Sequence, residues 1–244
     1  MPEIHHISLD LWMTLIRTHP EFKKKRAELF CRFFSVPNLD ETEKTIRKID
    51  LAVNHINETT GGNVDALEMY LLVLHLLKED AKTTTIDALI DFYTDSEKLF
   101  FDYMPVPVDD TVEEALQLIE GKGITMNILS NTGFINGRIL RKYLETIGWD
   151  KYFMFQVYSD ETNYSKPHPL MFDAVWQGLQ KNNTGELATH KNNILHFGDN
   201  PTADVDGAIR YGFQAALFNP GQTSFYQQIK NVLHETSVRT ASDT

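Results

Sequence analysis

An α/β fold, a doubly wound parallel sheet interrupted by an all-helical unit, is predicted by three observations on this sequence. After Pro105-Val106-Pro107, helical and strand-like apolar patterns alternate, as they do where helices cover both faces of a parallel sheet. Between Pro20 and about Tyr103 the apolar spacing is that of helices, and no convincing strand appears. A first buried strand, residues 4–11, precedes that stretch, so the helices are inserted within one α/β domain.

The elements follow in order. Phe22, Leu29, Phe30, Phe33 and Phe34 share one face of a first helix. Residues 40–56 are helical in composition, with Asp40 and Thr42 as candidate caps. Asn54 to Asn63, with Thr59-Thr60-Gly61-Gly62, reads as a loop. Ala66, Met69, Tyr70, Val73, Leu74 and Leu77 mark the next helix; Leu89, Phe92, Tyr93, Leu99 and Phe100 mark another. This gives a unit of about four helices. Beyond it come a helix from Thr111 to Glu120, a strand from Ile124 to Leu129 and a helix from Asn136 to Ile147 that stops at Gly148. A strand follows at Phe153–Tyr158, a helix at Pro169–Gln180 and a strand at Asn193–Phe197. A helix at Thr202–Tyr211, a strand at Gln214–Phe218 and a helix from Ser224 to Leu233 complete the pattern, with a frayed tail after Glu235. The partition is residues 1–16 and 106–244 for the α/β core and 17–105 for the helical unit.

Composition narrows the function. With 34 acidic residues against 23 Lys plus Arg, the net charge is −11, which disfavours nucleic acid or an anionic membrane surface as partner. A small anionic substrate is still compatible, because a local site can be positive. Cys31 is the single cysteine and sits among Phe30, Phe33 and Phe34, so it is read as core and no internal disulfide is expected. The absence of an apolar signal region or of any run of membrane-spanning length leads to a cytoplasmic expectation. The sequence sets no oligomeric state.

Four short motifs lie at the ends of apolar runs. They are Ile7 to Leu15, containing Asp10; Ile128-Leu129-Ser130-Asn131; Ser165-Lys166-Pro167-His168-Pro169; and Ile194 to Asn200, containing Gly198-Asp199. In an open α/β sheet, strand tips carry the chemistry. Two carboxylates, a hydroxyl and a lysine suit a carboxylate nucleophile, a divalent cation and a phosphate.

The motifs, their order and the helical insertion resemble the haloacid dehalogenase-like hydrolase superfamily over nearly the whole chain. The likeness is strongest from Gly198 to Ala208 and in Ser165–Pro169. It implies a Rossmann-like core with a helical cap between the first and second motifs. It also implies that Asp10 forms an acyl-phosphate, and that Asp10, Asp199 and the Trp12 backbone carbonyl hold Mg²⁺, with Asp204 behind them or acting through water. Leu11, Trp12, Thr14, Ser130, Asn131 and Lys166 are then expected around a small phosphorylated substrate, Thr14 fixing the Asp10 loop and Lys166 neutralising both Asp10 and phosphate. Each position also has a plainer reading. Asp10 would accept backbone hydrogen bonds at a strand end, the later aspartates would cap the helix near Thr202, Ser130-Asn131 would be an ordinary turn and Lys166 a solvated lysine. His196 reads as a satisfied core histidine, and His5 and His6 show no partner pattern. Lys23 to Arg26 read as a solvated face, from which one or two cations, or Arg17, could steer an anion inward.

One residue departs from the family pattern. Phosphatases of the superfamily carry an acid two residues after the nucleophile; here Trp12 stands there, and an indole N–H exchanges no proton at neutral pH. Loss of a general acid–base lowers rates by about 10²–10⁴. Met13 likewise replaces a small residue, which is expected to stiffen the loop and narrow the pocket. The superfamily's dehalogenases carry a tyrosine at position 12 and need no metal, but have serine and asparagine where this chain has Gly198-Asp199. Three hypotheses follow: a Mg²⁺-dependent phosphatase or phosphotransferase, a metal-independent C–halogen hydrolase, and a non-catalytic phosphate binder.

Overall fold

In the computed structural model, which describes residues 3–78, 84–182 and 190–242 (backbone alone at 182 and 235–242), five parallel strands form the central sheet. In chain order these are β1 (His6–Leu9), β4 (Thr125–Ser130), β5 (Gln156–Tyr158), β6 (Ile194–Gly198) and β7 (Gln214–Leu217), and they lie side by side as β5-β4-β1-β6-β7. β1 is central, and Leu9 pairs with Ile128 on one side and Phe197 on the other. The chain fills the sheet to one side of β1 and then to the other. Such a reversal opens a crevice at the carboxyl ends of the strands, where ligands of doubly wound folds bind.

β1, β4 and β6 are buried almost throughout because helices cover both faces. Their polar side chains pair across strands. His6 meets Thr125 Oγ1 at 2.7 Å and Asn127 Oδ1 at 2.8 Å, and Ser8 Oγ meets His196 Nδ1 at 3.1 Å. His6 therefore has partners after all. They lie on β4, beyond the reach of local sequence pattern.

A short antiparallel ribbon, β2 (Ile16–Arg17) with β3 (Val106–Pro107), joins the sheet to the helices between them. Among the described residues these are α1 (Phe22–Phe34), α2 (Leu39–Thr60), α3 (Ala66–Leu77) and α4 (Ile86–Asp102). Phe30, Phe34, Tyr70 and Phe92 interlock at centroid separations of 4.8–6.2 Å, and Phe134 of the sheet side joins Tyr70 at 4.6 Å. Each buried ring contributes about 1.5–3 kcal/mol through burial. Cys31 Sγ donates to Thr42 Oγ1, linking α1 to α2.

The helical unit differs from expectation at α2. Asn38 caps it by accepting from Glu41 N, while Asp40 lies in its first turn and Thr42 Oγ1 donates back to the Asn38 carbonyl. The helix does not stop before Asn54: Ile46, Ile49, Val53 and Asn57 continue one buried face through Thr60, and Gly61 ends it at φ 73. The remaining helices are α5 (Val112–Gly121), α6 (Gly137–Ile147), the single turn α7 (Ser159–Thr162), α8 (Pro169–Asn182), α9 (Gly207–Tyr211) and α10 (Phe225–Ser242). A wide π-type turn, Pro201–Asp206, precedes α9 where sequence predicts ordinary helix. α10 runs past Glu235 to Ser242, a stretch without glycine or proline. No helix among the described residues is long and apolar enough to cross a membrane.

Candidate active site

Asp10, Ser130 and Asp199 leave the tips of three neighbouring strands, β1, β4 and β6. Asp10 is 6% exposed; its amide donates to the Phe197 carbonyl, and Thr14 Oγ1 donates to its Oδ2 at 3.0 Å. Lys166 is 1% exposed, and its ammonium makes three contacts: Asp10 Oδ1 at 2.7 Å, Asp204 Oδ1 at 2.7 Å and the Leu129 carbonyl at 2.6 Å. An ammonium has three N–H donors, so these contacts use all of them. Sequence expects Lys166 to serve Asp10 and a phosphate. The second carboxylate it holds is that of Asp204.

Asp204 is itself consumed within the protein. Its Oδ1 also receives His196 Nε2 at 3.0 Å, and its Oδ2 receives the Asn200 amide at 2.9 Å. Burial opposes its ionisation, but the Lys166 ammonium and His196 outweigh it and hold its pKa well below the usual carboxylate range. Burial lowers the His196 pKa, so the ring is neutral, donating through Nε2 and accepting the Ser8 hydroxyl at Nδ1. For Lys166 burial works downward, yet Asp10 and Asp204 raise its pKa and keep it charged. Burial raises Asp10, with Lys166 opposing. Gly198 makes this packing possible: a Cβ there would stand 2.3 Å from Asp204 Oδ2.

Asp199 forms no ion pair among the described residues. Burial, followed by the charges of Asp10 and Asp204, raises it to about 7. Carboxylate oxygens of Asp10, Asp199 and Asp204 lie within 4.8 Å of one another. One ammonium thus pairs with two of the three carboxylates, and Asp199 is left unpaired among the described residues. Compact hard oxygen donors with surplus negative charge fit a small divalent cation such as Mg²⁺.

The remaining expected residues take these places. Asn131 pins the Lys166 loop from both sides, accepting Lys166 N at 2.7 Å and donating to its carbonyl at 3.0 Å. Ser130 is buried, donates to the Asn131 carbonyl and lies outside the cleft lining. Leu11 is buried core whose carbonyl accepts the amides of Leu15 and Ile16. Thr14 is buried behind Asp10. Trp12 is half-buried, and it and Met13 line the cleft. Helix capping near Thr202 falls to Asn200, whose Oδ1 accepts the amides of Thr202 and Ala203.

The cleft above the strand tips has a volume of about 330 Å³. α1 and α2 form its far wall. Lys23 and Arg26 turn toward it, as do Arg47, Asn54 and Glu58, while Arg17 does not line it. The contributions of α2 escape sequence reading because its last turns look like a loop. The spacing of Ile46, Ile49, Val53 and Asn57 carries the signal, broken only by the polar Asn57.

Fold and cleft together define an α/β protein whose carboxylates and one lysine meet at the ends of neighbouring parallel strands, beneath a helical wall. The family model for haloacid dehalogenase-like hydrolases matches residues 4–212, and the chain belongs to that family. No curated protein matches it. Solved structures share its fold. YfnB from Bacillus subtilis, described as a HAD-hydrolase bound to magnesium, has 14% identity and a TM-score of 0.68 over 96% of this chain and 99% of that one. A 2-haloacid dehalogenase from Pseudomonas syringae pv. Tomato DC3000 has 18% identity and a TM-score of 0.62 over 97% and 99%. A HAD phosphatase from Thermococcus onnurineus has 17% identity and a TM-score of 0.60 over 92% and 91%.

Proposed function

We propose that this hydrolase is a Mg²⁺-dependent phosphatase or phosphotransferase acting on a small phosphorylated metabolite through Asp10. The observation that carries this reading is the convergence of Asp10, Asp199 and Asp204, of which the Lys166 ammonium pairs with Asp10 and Asp204 and leaves Asp199 without a counter-charge among the described residues. Asp10 and Asp199, with the Trp12 carbonyl, would hold the cation, and Asp204 holds Lys166 in place. When bound, Mg²⁺ supplies charge neutralisation between the anionic nucleophile and the anionic phosphoryl group.

The chain's own residues account for the rest. Thr14 and Lys166 fix the two oxygens of Asp10, so the carboxylate is aimed before substrate arrives. Attack forms the Asp10–phosphorus bond and breaks the bond to the leaving oxygen, which must take up a proton. Trp12 offers none. Substrates whose leaving group departs as an anion, such as acyl phosphates, are therefore favoured over alkyl esters. Water, or an acceptor alcohol in a phosphotransferase, then cleaves the acyl-phosphate and restores Asp10. We place the protein in the cytoplasm.

The test is phosphate release from a panel of acyl phosphates and phosphate monoesters, with and without chelator. Turnover is expected to disappear on chelation and in Asp10→Asn. An aromatic residue at position 12 favours a second reading, C–halogen hydrolysis. Halide release from 2-haloacids in the presence of chelator would replace the first reading with this one.

A further inference from the structure

Arg26, on the first helix of the inserted unit, lines the cleft and is 7% exposed. Its guanidinium stands over the rings of Phe134, at 4.5 Å, and Phe22, at 5.5 Å. It makes no ion pair or hydrogen bond among the described residues, and its buried Nε has no partner. Other buried side-chain atoms lack partners too, but among the described residues only that of Arg26 belongs to a residue lining the cleft. Of the neighbouring cations, Lys25 is paired with Glu28 and Arg47 with Asp50, while Lys23, also without an ion pair among the described residues, is exposed to solvent rather than buried.

A buried guanidinium without a counter-charge is costly, whereas the same group met by an anion is a strong and directional receptor. Stacking on aromatic rings occupies the face of the group and leaves its edge donors free. The two Nη groups, which are not among the buried unpartnered atoms, form a pair of donors that matches two coplanar oxygens. Glu58 and Asp199, neither in an ion pair among the described residues, also line the cleft, which disfavours adding a second dianion. A planar monoanion fits better.

We propose that Arg26 receives a carboxylate on the substrate, so that the substrate class is a small phosphorylated carboxylic acid, its phosphate at Asp10 and its carboxylate at Arg26. This specificity role rests on the phosphatase reading for the phosphate end only. The carboxylate end stands on Arg26 itself.

Calorimetric titration with phosphonoacetate and with methylphosphonate, at saturating Mg²⁺, tests it without turnover. The two ligands differ by the carboxylate. Wild type is expected to bind phosphonoacetate tighter by about 10-fold to about 100-fold, the range of a charge-assisted hydrogen-bonded pair. Arg26→Met retains the apolar stem against Phe22 and Phe134, and is expected to abolish that preference. Its ligand-free melting temperature should equal or exceed that of wild type, because an unpaired buried charge has been removed. Equal affinity of wild type for both ligands would overturn the proposal. So would a preference surviving in Arg26→Met, or a fall in its ligand-free melting temperature, which would make Arg26 a structural residue. Failure of the phosphatase reading has a separate signature: phosphonoacetate binds through Arg26, yet no phosphate ester is turned over.

Discussion

His6 lies in the central strand with both ring nitrogens engaged, by Thr125 and Asn127, and burial lowers its pKa from 6.5 to about 4. The folded state holds the ring neutral, while the unfolded chain protonates it near 6.5. Its stabilising contribution is thus complete above pH 6.5 and is lost as pH falls from there toward 4. Between pH 7 and pH 5 the loss from this residue is about 2 kcal/mol. Urea unfolding at both pH values should show His6→Gln losing about 2 kcal/mol less than wild type; identical losses would refute the assignment. Trp12 calls for a different experiment. Trp12→Asp restores a proton donor to the cleft, and for alkyl phosphates kcat is expected to rise by about 10²-fold or more, with acyl phosphates gaining least. An unchanged kcat would mean that another group already supplies the proton. Single residues were legible where a motif flagged them, as with Asp10, Lys166 and Asp199. They were illegible where the partner is remote: His6 finds its partners more than a hundred residues along the chain, and Asn131 spends its amide on the backbone of Lys166.

The end of α2 connects the helical unit to the Lys166 loop. Gly61 closes the helix at φ 73, and its carbonyl accepts the amide of Ser165, the residue before Lys166. A Cβ at this position would meet His168 Cδ2 at 2.6 Å. Gly61→Ala therefore combines a left-handed backbone with a collision against the Lys166 loop. It should destabilise the protein by about 1–3 kcal/mol. Thermal denaturation would read this, and activity should fall with it because Lys166 moves; an unperturbed melt would show that the loop yields freely. The sheet elements were readable to within a few residues, since buried parallel strands are continuous apolar runs and glycines stop the helices. The sequence expects a shorter α2 because Asn54, Asn57, Thr59 and Thr60 have loop composition, whereas tertiary burial of Val53 and Asn57 keeps the segment helical through Thr60.

At the scale of the whole molecule, the cleft belongs to neither half alone. Asp10, Lys166 and Asp199 come from the sheet and its loops, and Arg26, Arg47 and Glu58 from α1 and α2. The halves are fastened around it by the β2–β3 ribbon, by Asn200 Nδ2 donating to Glu58 at 2.5 Å, by Ser159 Oγ donating to Asn63 at 2.7 Å and by the Phe134–Tyr70 contact. An ion that draws Asp10 and Asp199 together binds only when β1 and β6 are side by side, so it binds the folded state and not the unfolded chain. Linkage then fixes the size of the effect: Mg²⁺ at about 100 times its dissociation constant adds about 2.7 kcal/mol of stability. For a chain of this length that is about 5–10 °C in Tm. Asp199→Asn should erase the shift by removing a ligand, while its metal-free form melts at or above wild type because one of three crowded carboxylates is gone. Differential scanning calorimetry of both proteins, with Mg²⁺ and with chelator, measures all four values. A Mg²⁺-induced rise that persists in Asp199→Asn would place the ion elsewhere on the acidic surface and would remove the cation from the site.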